Sequence, residues 1–352
     1  MAAAPGRSGS ATPVGSPTVT VPVQGPVDLA GSLDVLRRAG DDLLDRWDGR
    51  LWLRSVVVDG RAVGAAARPG GTPADPVLLV SAGNGADPVA AGRVLATAFP
   101  TAPEALAGLA AADPVVARIA ARFPGVGPVL QPDLLTAVVR AISAQQITLR
   151  FAAILRGRLA RRYGHRHEVA PPPAGPAEPA PGDPPAGEVW SLDARRLAGA
   201  EIADLRELQF STSKAVAVTA FAAAVADGRV DLQTLAGLED EAVVERLVRF
   251  PGIGRWTAEW LLARTLGRPR VVAGDLGVRK AVGAAYLDGR MPSEAEVRAV
   301  TAHWGAAAGT AQQLLLHWLS AEAPGRGGPR RSPRAPTRKR TATRPGPSSP
   351  RG

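Results

Sequence analysis

The chain has 352 residues, 45% of them hydrophobic, and a formal net charge of +10, enough material for two compact domains with a sizeable core. It contains no cysteine and only four histidines, which excludes disulfides, cysteine nucleophiles, thiolate zinc sites and cysteine-ligated iron–sulfur clusters and argues against a histidine metal site; no cofactor is expected. No window approaches the ~18 apolar residues of a membrane span and no apolar stretch follows a basic start, so a cytoplasmic monomer without a membrane partner is expected. The charge is unevenly placed: residues 321–352 hold nine Lys or Arg against one acid, Glu322, so the remainder is only slightly basic. Net charge alone does not establish a nucleic-acid partner.

In chain order, residues 1–25 are rich in Ala, Gly, Ser, Pro and Thr and read as a disordered tail, because they offer too little apolar surface to offset ordering. Residues 26–112 carry short β-rich runs, Leu51 to Val58, Ala62 to Ala67 and Val77 to Val80, separated by Asp59-Gly60 and Gly70-Gly71 turn signals, with helical patterns at Leu29 to Leu44 and Pro88 to Ala98. That combination predicts an α+β unit. Over residues 113–320 the strand signals stop and apolar residues recur at helical spacing, which predicts an all-α domain. Asp133 reads as the cap of a helix with Leu134, Val138 and Ile142 on its core face, and Ser293 with Glu296 has the spacing of a capping box. A Pro-rich insertion over 165–187 reads as an exposed loop, and residues 321–352 as a disordered basic tail.

The most informative segment is Leu247-Val-Arg-Phe-Pro-Gly-Ile-Gly-Arg-Trp-Thr-Ala258. Two amphipathic helices meet here through a turn too short for anything but a tight hairpin. Pro251 closes the first helix, while Gly252 and Gly254 permit positive φ and a close approach of backbone to ligand. The free amides of the turn and of the first turn after Arg255 then point outward, where the helix dipole favours an anion such as a DNA phosphate. Pro-Gly-Ile-Gly alone also fits an ordinary helix-connecting turn. Continued as Arg255-Trp256-Thr257-Ala258, it resembles the helix-hairpin-helix signature of DNA glycosylases. The resemblance implies DNA contacts around Gly252, Ile253, Gly254, Arg255 and Thr257, with Ile253 packed between the helices. It also allows a cation on hairpin carbonyls, which no side chain encodes.

Asp275 follows Trp256 by nineteen residues, in Val271-Val-Ala-Gly-Asp-Leu-Gly-Val-Arg-Lys280. By itself it reads as a helix N-cap, and in the glycosylases that this chain resembles an aspartate at this place performs the chemistry; one residue can do both. Breaking an N-glycosidic bond generates oxocarbenium character, which a carboxylate beside C1′ stabilises. Trp256 and Trp260 lie one helical turn apart. They read either as core packing or, with Trp304, as an aromatic pocket for a cationic everted base.

Over about Asp113 to Ser320 the chain resembles the 3-methyladenine DNA glycosylase II family. Trp256, Trp260 and Trp304 stand where that family has pocket aromatics. Gln145 and Gln146, in Ile142-Ser-Ala-Gln-Gln-Ile-Thr148, stand where it approaches DNA, with Gln146 at the place of the side chain that fills the gap left by the everted base; both also read as polar residues at a helix break. The resemblance implies an α+β protein, an amino-terminal antiparallel sheet with helices followed by an all-α helix-hairpin-helix glycosylase domain. The implied function is monofunctional removal of alkylated purines, of the 3-methyladenine and 7-methylguanine class, from double-stranded DNA. Bifunctional relatives carry an imine-forming lysine at the place of Trp256, and tryptophan cannot form an imine. Two departures touch the pocket: Ala273-Gly274 stands where many relatives have proline and another acid, and Gly305 to Ala308 where they often have a Pro-aromatic pair. A uracil, mismatch or deaminated-base glycosylase of the same fold and a noncatalytic hairpin DNA-binding protein are the alternatives. The basic tail reads equally as a solubilising extension or as a source of nonspecific DNA affinity. If it binds DNA, deleting residues 323–352 flattens the salt dependence of binding, measured by fluorescence anisotropy across a salt series; an unchanged slope assigns the tail to solubility.

Overall fold

The computed structural model describes residues 17–173 and 187–322; most of both expected tails and of the Pro-rich insertion lies outside the described residues. The amino-terminal unit is a five-stranded antiparallel sheet in the order β1-β5-β4-β3-β2, formed by β1 (Val19–Pro22), β2 (Asp45–Trp47), β3 (Trp52–Val58), β4 (Arg61–Gly71) and β5 (Pro76–Ala82). Two helices, α1 (Leu29–Ala39) and α2 (Pro88–Ala96), complete it. Leu33, Trp52, Leu78, Val80 and Leu95 fill the space between sheet and helices.

Every strand run expected from the sequence is present, and β1 is added within the stretch expected to be a tail. Its Val21 is buried against the sheet, and Val19 pairs with Val80. The run expected as one helix to Leu44 stops at Ala39, because Gly40 turns to φ +90°, and the chain then enters β2.

The remainder contains α3 (Pro103–Ala112), α4 (Pro114–Arg122), α5 (Leu134–Ala144), α6 (Leu149–Tyr163), β6 (Gly164–Val169), β7 (Gly187–Leu192), α7 (Ala194–Ala198), α8 (Ile202–Glu207), α9 (Thr212–Ala226) and α10 (Leu232–Ala236). It continues with α11 (Asp240–Leu247), α12 (Arg255–Arg264), α13 (Leu276–Tyr286), α14 (Glu294–Val300), a 3-10 turn (Ala302–Ala307) and α15 (Ala308–Glu322). Its helix starts follow the sequence closely. Asp133 accepts the Thr136 amide at 2.7 Å, and both bonds of the Ser293–Glu296 capping box are made.

Two features correct the expectation of an all-helical domain confined to residues 113–320. First, the flanks of the Pro-rich insertion are not loop: β6 and β7 pair antiparallel from Gly164↔Leu192 to Val169↔Gly187. This ribbon lies on the sheet, with Val169 and Val189 packed on Leu51, Leu53 and Ala66. Close approach needs missing side chains; a Cβ on Gly64 would stand 2.9 Å from the His167 Cβ, and one on Gly187 2.8 Å from a Leu53 methyl. The polar sequence of β6 hid it, because its strand character comes from this contact. Second, helix begins before residue 113: α3 joins the later helices through Leu109.

The helices build two cores. One, from α5 to α12, contains Val138, Ile142, Leu155, Leu159, Val218, Phe221 and Leu262. The other joins α3 and α4 to α13 and α15 through Val116, Ile119, Val278, Val282 and Leu314. The chain enters the second core, leaves to build the first, and returns after α12.

A buried polar network ties the sheet unit to the first helical core. Asp42, in the turn before β2, accepts from Arg140 Nε at 2.9 Å and from Arg156 Nε at 2.8 Å. Arg140 also donates to Gln131, and Asp45 accepts from Arg54 and from the Trp52 indole. Burial raises the pKa of the Asp42 carboxyl, but the two arginines beside it prevail and bring it down from 3.8 to about 2. A depressed carboxyl contributes stability that is complete above its ordinary value and is lost as pH falls toward 2. Asp42→Asn leaves two buried guanidinium groups short of a counter-charge and is expected to cost about 3–5 kcal/mol. Urea unfolding at neutral pH measures this, and the gap between variant and parent narrows below pH 3.

Candidate active site

The hairpin is the turn between α11 and α12. Ile253 is its anchor: the side chain is 4% exposed and packs among Leu247, Ala258 and Leu261, while its amide donates to the Phe250 carbonyl at 3.2 Å. Gly252 has φ +73°, and a Cβ there would stand 2.7 Å from the Ala217 Cβ on α9. Gly254, by contrast, is extended at φ −89° and does not use the positive φ that glycine permits. Its value is open space, since nothing lies within 4 Å of the place of a Cβ. Gly254 caps α12 without any side-chain bond, leaving the first amides of that helix available to an outside acceptor.

The side chains expected beside those amides are otherwise engaged. Thr257 is buried. Arg255 donates to Glu241 at 2.7 Å and to Glu259 at 3.2 Å. Glu259 is itself buried and also accepts from Arg270 and Arg298, an ion cluster that braces the start of α12. What the hairpin offers an anion is therefore main chain.

Asp275 stands at the seam, where the chain leaves the first helical core for the second. It caps α13 by accepting the Val278 amide on Oδ1 at 3.0 Å; Oδ2 has no hydrogen-bond donor among the described residues, and the side chain is half-buried. The preceding Gly274 makes room for two neighbours: a Cβ there would lie 3.0 Å from Trp256 Cδ1 and 3.1 Å from Glu294 Oε1. Trp256, Glu294 and the Gly274–Asp275 turn are thus adjacent. Arg264, at the end of α12, is buried; desolvation lowers its pKa, and the charge of Asp275 opposes that shift.

The three tryptophans do not form one open cage. Trp256 is half-buried beside Gly274, with a buried indole N–H that finds no partner among the described residues. Trp260 packs against the first helical core. Trp304 is only 2% exposed within the second core, its ring 6.3 Å from that of Tyr286, so the expectation of an aromatic pocket wall at 304 is corrected: the 3-10 turn folds the indole inward. Tyr286 donates to Asp113, which also pairs with His303 at 2.8 Å; burial and the Asp113 charge push the tyrosine hydroxyl up.

Gln146 is exposed with φ +60°, a left-handed conformation uncommon for a residue with a Cβ. Gln145 is turned inward instead, and its amide donates to the Gly252 carbonyl at 3.1 Å. That bond uses one of the two lone pairs of the carbonyl. Glu294 and Arg264 were not singled out by sequence reasoning. Neither belongs to a motif, and only folding brings Glu294 to Gly274.

Residues 139–306 match the HhH-GPD family, described as HhH-GPD superfamily base excision DNA repair protein. The chain is 26% identical over 178 residues to YfjP of Bacillus subtilis (strain 168), covering 50% of this chain and 55% of the relative. It is 24% identical over 198 residues to a DNA-3-methyladenine glycosylase of the same organism, covering 56% and 60%. The chain therefore spans little more than half the length of these curated relatives. Among solved structures, a 3-methyladenine DNA-glycosylase from Archaeoglobus fulgidus superposes with a TM-score of 0.68 at 25% identity, over 85% of this chain and 96% of that one.

The two hairpin glycines have opposite reasons to be glycine, and alanine separates them. Gly252→Ala meets both a left-handed φ and the Ala217 methyl and is expected to destabilise by about 1–3 kcal/mol. Gly254→Ala enters open space at an ordinary φ and should leave the melting temperature nearly unchanged in differential scanning calorimetry.

Proposed function

We propose, from the premise that residues 139–306 make this chain a member of the HhH-GPD superfamily of base excision DNA repair proteins, that it is a monofunctional DNA glycosylase releasing alkylated purines from double-stranded DNA. The observation that carries this reading is the carboxylate of Asp275, fixed through one oxygen to the start of α13, with the other oxygen free of protein donors among the described residues and Trp256 alongside. The names of the relatives support the same substrate class.

In this reading the open amides of α12 take a backbone phosphate. That contact sets the register of the duplex, and an everted nucleotide reaches the seam between the two helical cores. As the C1′–N bond breaks, its electron pair leaves with the base and positive charge develops on the sugar. Asp275 stabilises that charge electrostatically. Water then adds at C1′ and gives up a proton, leaving an abasic site. A purine methylated at N3 or N7 already carries positive charge, so it departs without a strong general acid, and Trp256 attracts such a base through its electron-rich face. With Trp304 turned into the core, preference for cationic bases falls mainly to Trp256. Trp256 has no amine to form an imine with the sugar, which makes strand cleavage by that route foreign to the site.

Purified protein is expected to release 3-methyladenine and 7-methylguanine from methylated duplex DNA, and Asp275→Asn to lower the single-turnover rate by at least about 100-fold while binding to an abasic-analogue duplex is retained. Chromatography of released bases and anisotropy measure the two. Equal release by both proteins removes Asp275 from the mechanism. A parent that prefers uracil or hypoxanthine in the same assay moves the substrate class to neutral bases.

A further inference from the structure

Between α5 and α6 the chain turns through Gln145 and Gln146, and that turn is held from three sides. Lys214, in the first turn of α9, places its ammonium 2.9 Å from the Ser143 carbonyl and 2.7 Å from the Gln145 carbonyl. These are oxygens at the end of α5, where a helix leaves carbonyls unpaired and carries partial negative charge, so a cation is well placed there. Gln145 reaches across to the Gly252 carbonyl of the hairpin. From beneath, Arg156 donates to the Ser143 hydroxyl at 3.0 Å while its Nε is held by Asp42. At the apex of this clamped segment stands the exposed, left-handed Gln146.

A left-handed residue with a Cβ persists only where its surroundings over-determine it. Here the surroundings are Lys214 and the Gln145 bridge. The bridge also makes the hairpin and the Gln146 turn one unit: a phosphate gripped at the open amides of α12 and a side chain projecting from residue 146 keep a fixed separation. The hydrogen bonds of the Lys214 ammonium among the described residues go to the two carbonyls of this turn.

We propose that Lys214 is a positioning residue for base eversion, holding Gln146 in the conformation that enters the duplex as the damaged base leaves. This rests on the glycosylase reading above. A residue needed to open a base pair becomes dispensable when the base is already unpaired, because the unstacking and unpairing cost has been removed from the substrate. A residue that merely stabilises the fold, or acts at C1′, has no such dependence.

The experiment compares the parent, Lys214→Met and Lys214→Arg on one 7-methylguanine oligonucleotide, either paired with cytosine or unpaired in a single-nucleotide bulge. Lys214→Met is expected to lose about tenfold or more in single-turnover rate on the paired lesion and less than about threefold on the bulged one. Lys214→Arg should recover most of the loss. A parallel reading comes from 2-aminopurine placed beside the lesion: its fluorescence rise on binding should be reduced for Lys214→Met on the paired duplex alone. Equal losses on both substrates, or no loss on either, overturn the proposal while leaving the glycosylase reading in place. Release from neither substrate by the parent overturns that reading and this inference together.

Discussion

A carboxylate that caps a helix with one oxygen cannot rotate freely, and the chemistry assigned to Asp275 depends on that restraint. Its Oδ1 is spent on the Val278 amide, which fixes the plane and direction of the group at the start of α13. Because the cap belongs to one helical core while Trp256 and Arg264 belong to α12, the carboxylate stands where the two cores meet. At the seam a half-buried acid, the Trp256 indole and the buried Arg264 guanidinium come together. Electrostatic stabilisation in such a site needs no reorganisation when charge develops.

The supporting ion clusters share a logic of position. Glu259 is buried with Arg255, Arg270 and Arg298 around it, and Asp42 is buried with Arg140 and Arg156. Buried ion pairs contribute little net stability compared with apolar packing. Their use here is geometric. The first cluster braces the start of α12 directly behind the hairpin. The second joins the sheet unit to α5 and α6, whose junction carries Gln146. Through Arg156 and Ser143 the sheet unit thus reaches the turn proposed to enter DNA.

Much of the site was legible in sequence because its parts are local. A Pro-Gly-Ile-Gly turn between amphipathic runs, an aspartate ahead of a helical pattern and a Ser-x-x-Glu box each encode a structure within a few residues, and each was found at its place. The hidden parts are relations between distant segments. Trp304 read as an aromatic available for a pocket, but the turn that buries it and the Tyr286 ring it faces are tertiary features. Arg255 read as a DNA contact from its place in the hairpin motif, which does not show that Glu241 on the preceding helix, with Glu259 one turn on, holds it. Lys214 and Glu294 belong to no motif, and only folding brings them to the Gln145 turn and to Gly274.

From sequence alone came the three central strands and most helices, the hairpin, the helix start at Asp275 and the α+β order of the chain, since backbone propensity, periodicity and capping act over one or two turns of helix. Tertiary structure alone decided that the flanks of the Pro-rich insertion form a strand pair, that the helices divide into two cores with Asp275 at their seam, and that Gln145 bonds to the hairpin while Gln146 projects. Those outcomes depend on which surfaces exclude water against one another and which buried charges find partners. Such preferences exist only once residues far apart in the chain are brought together.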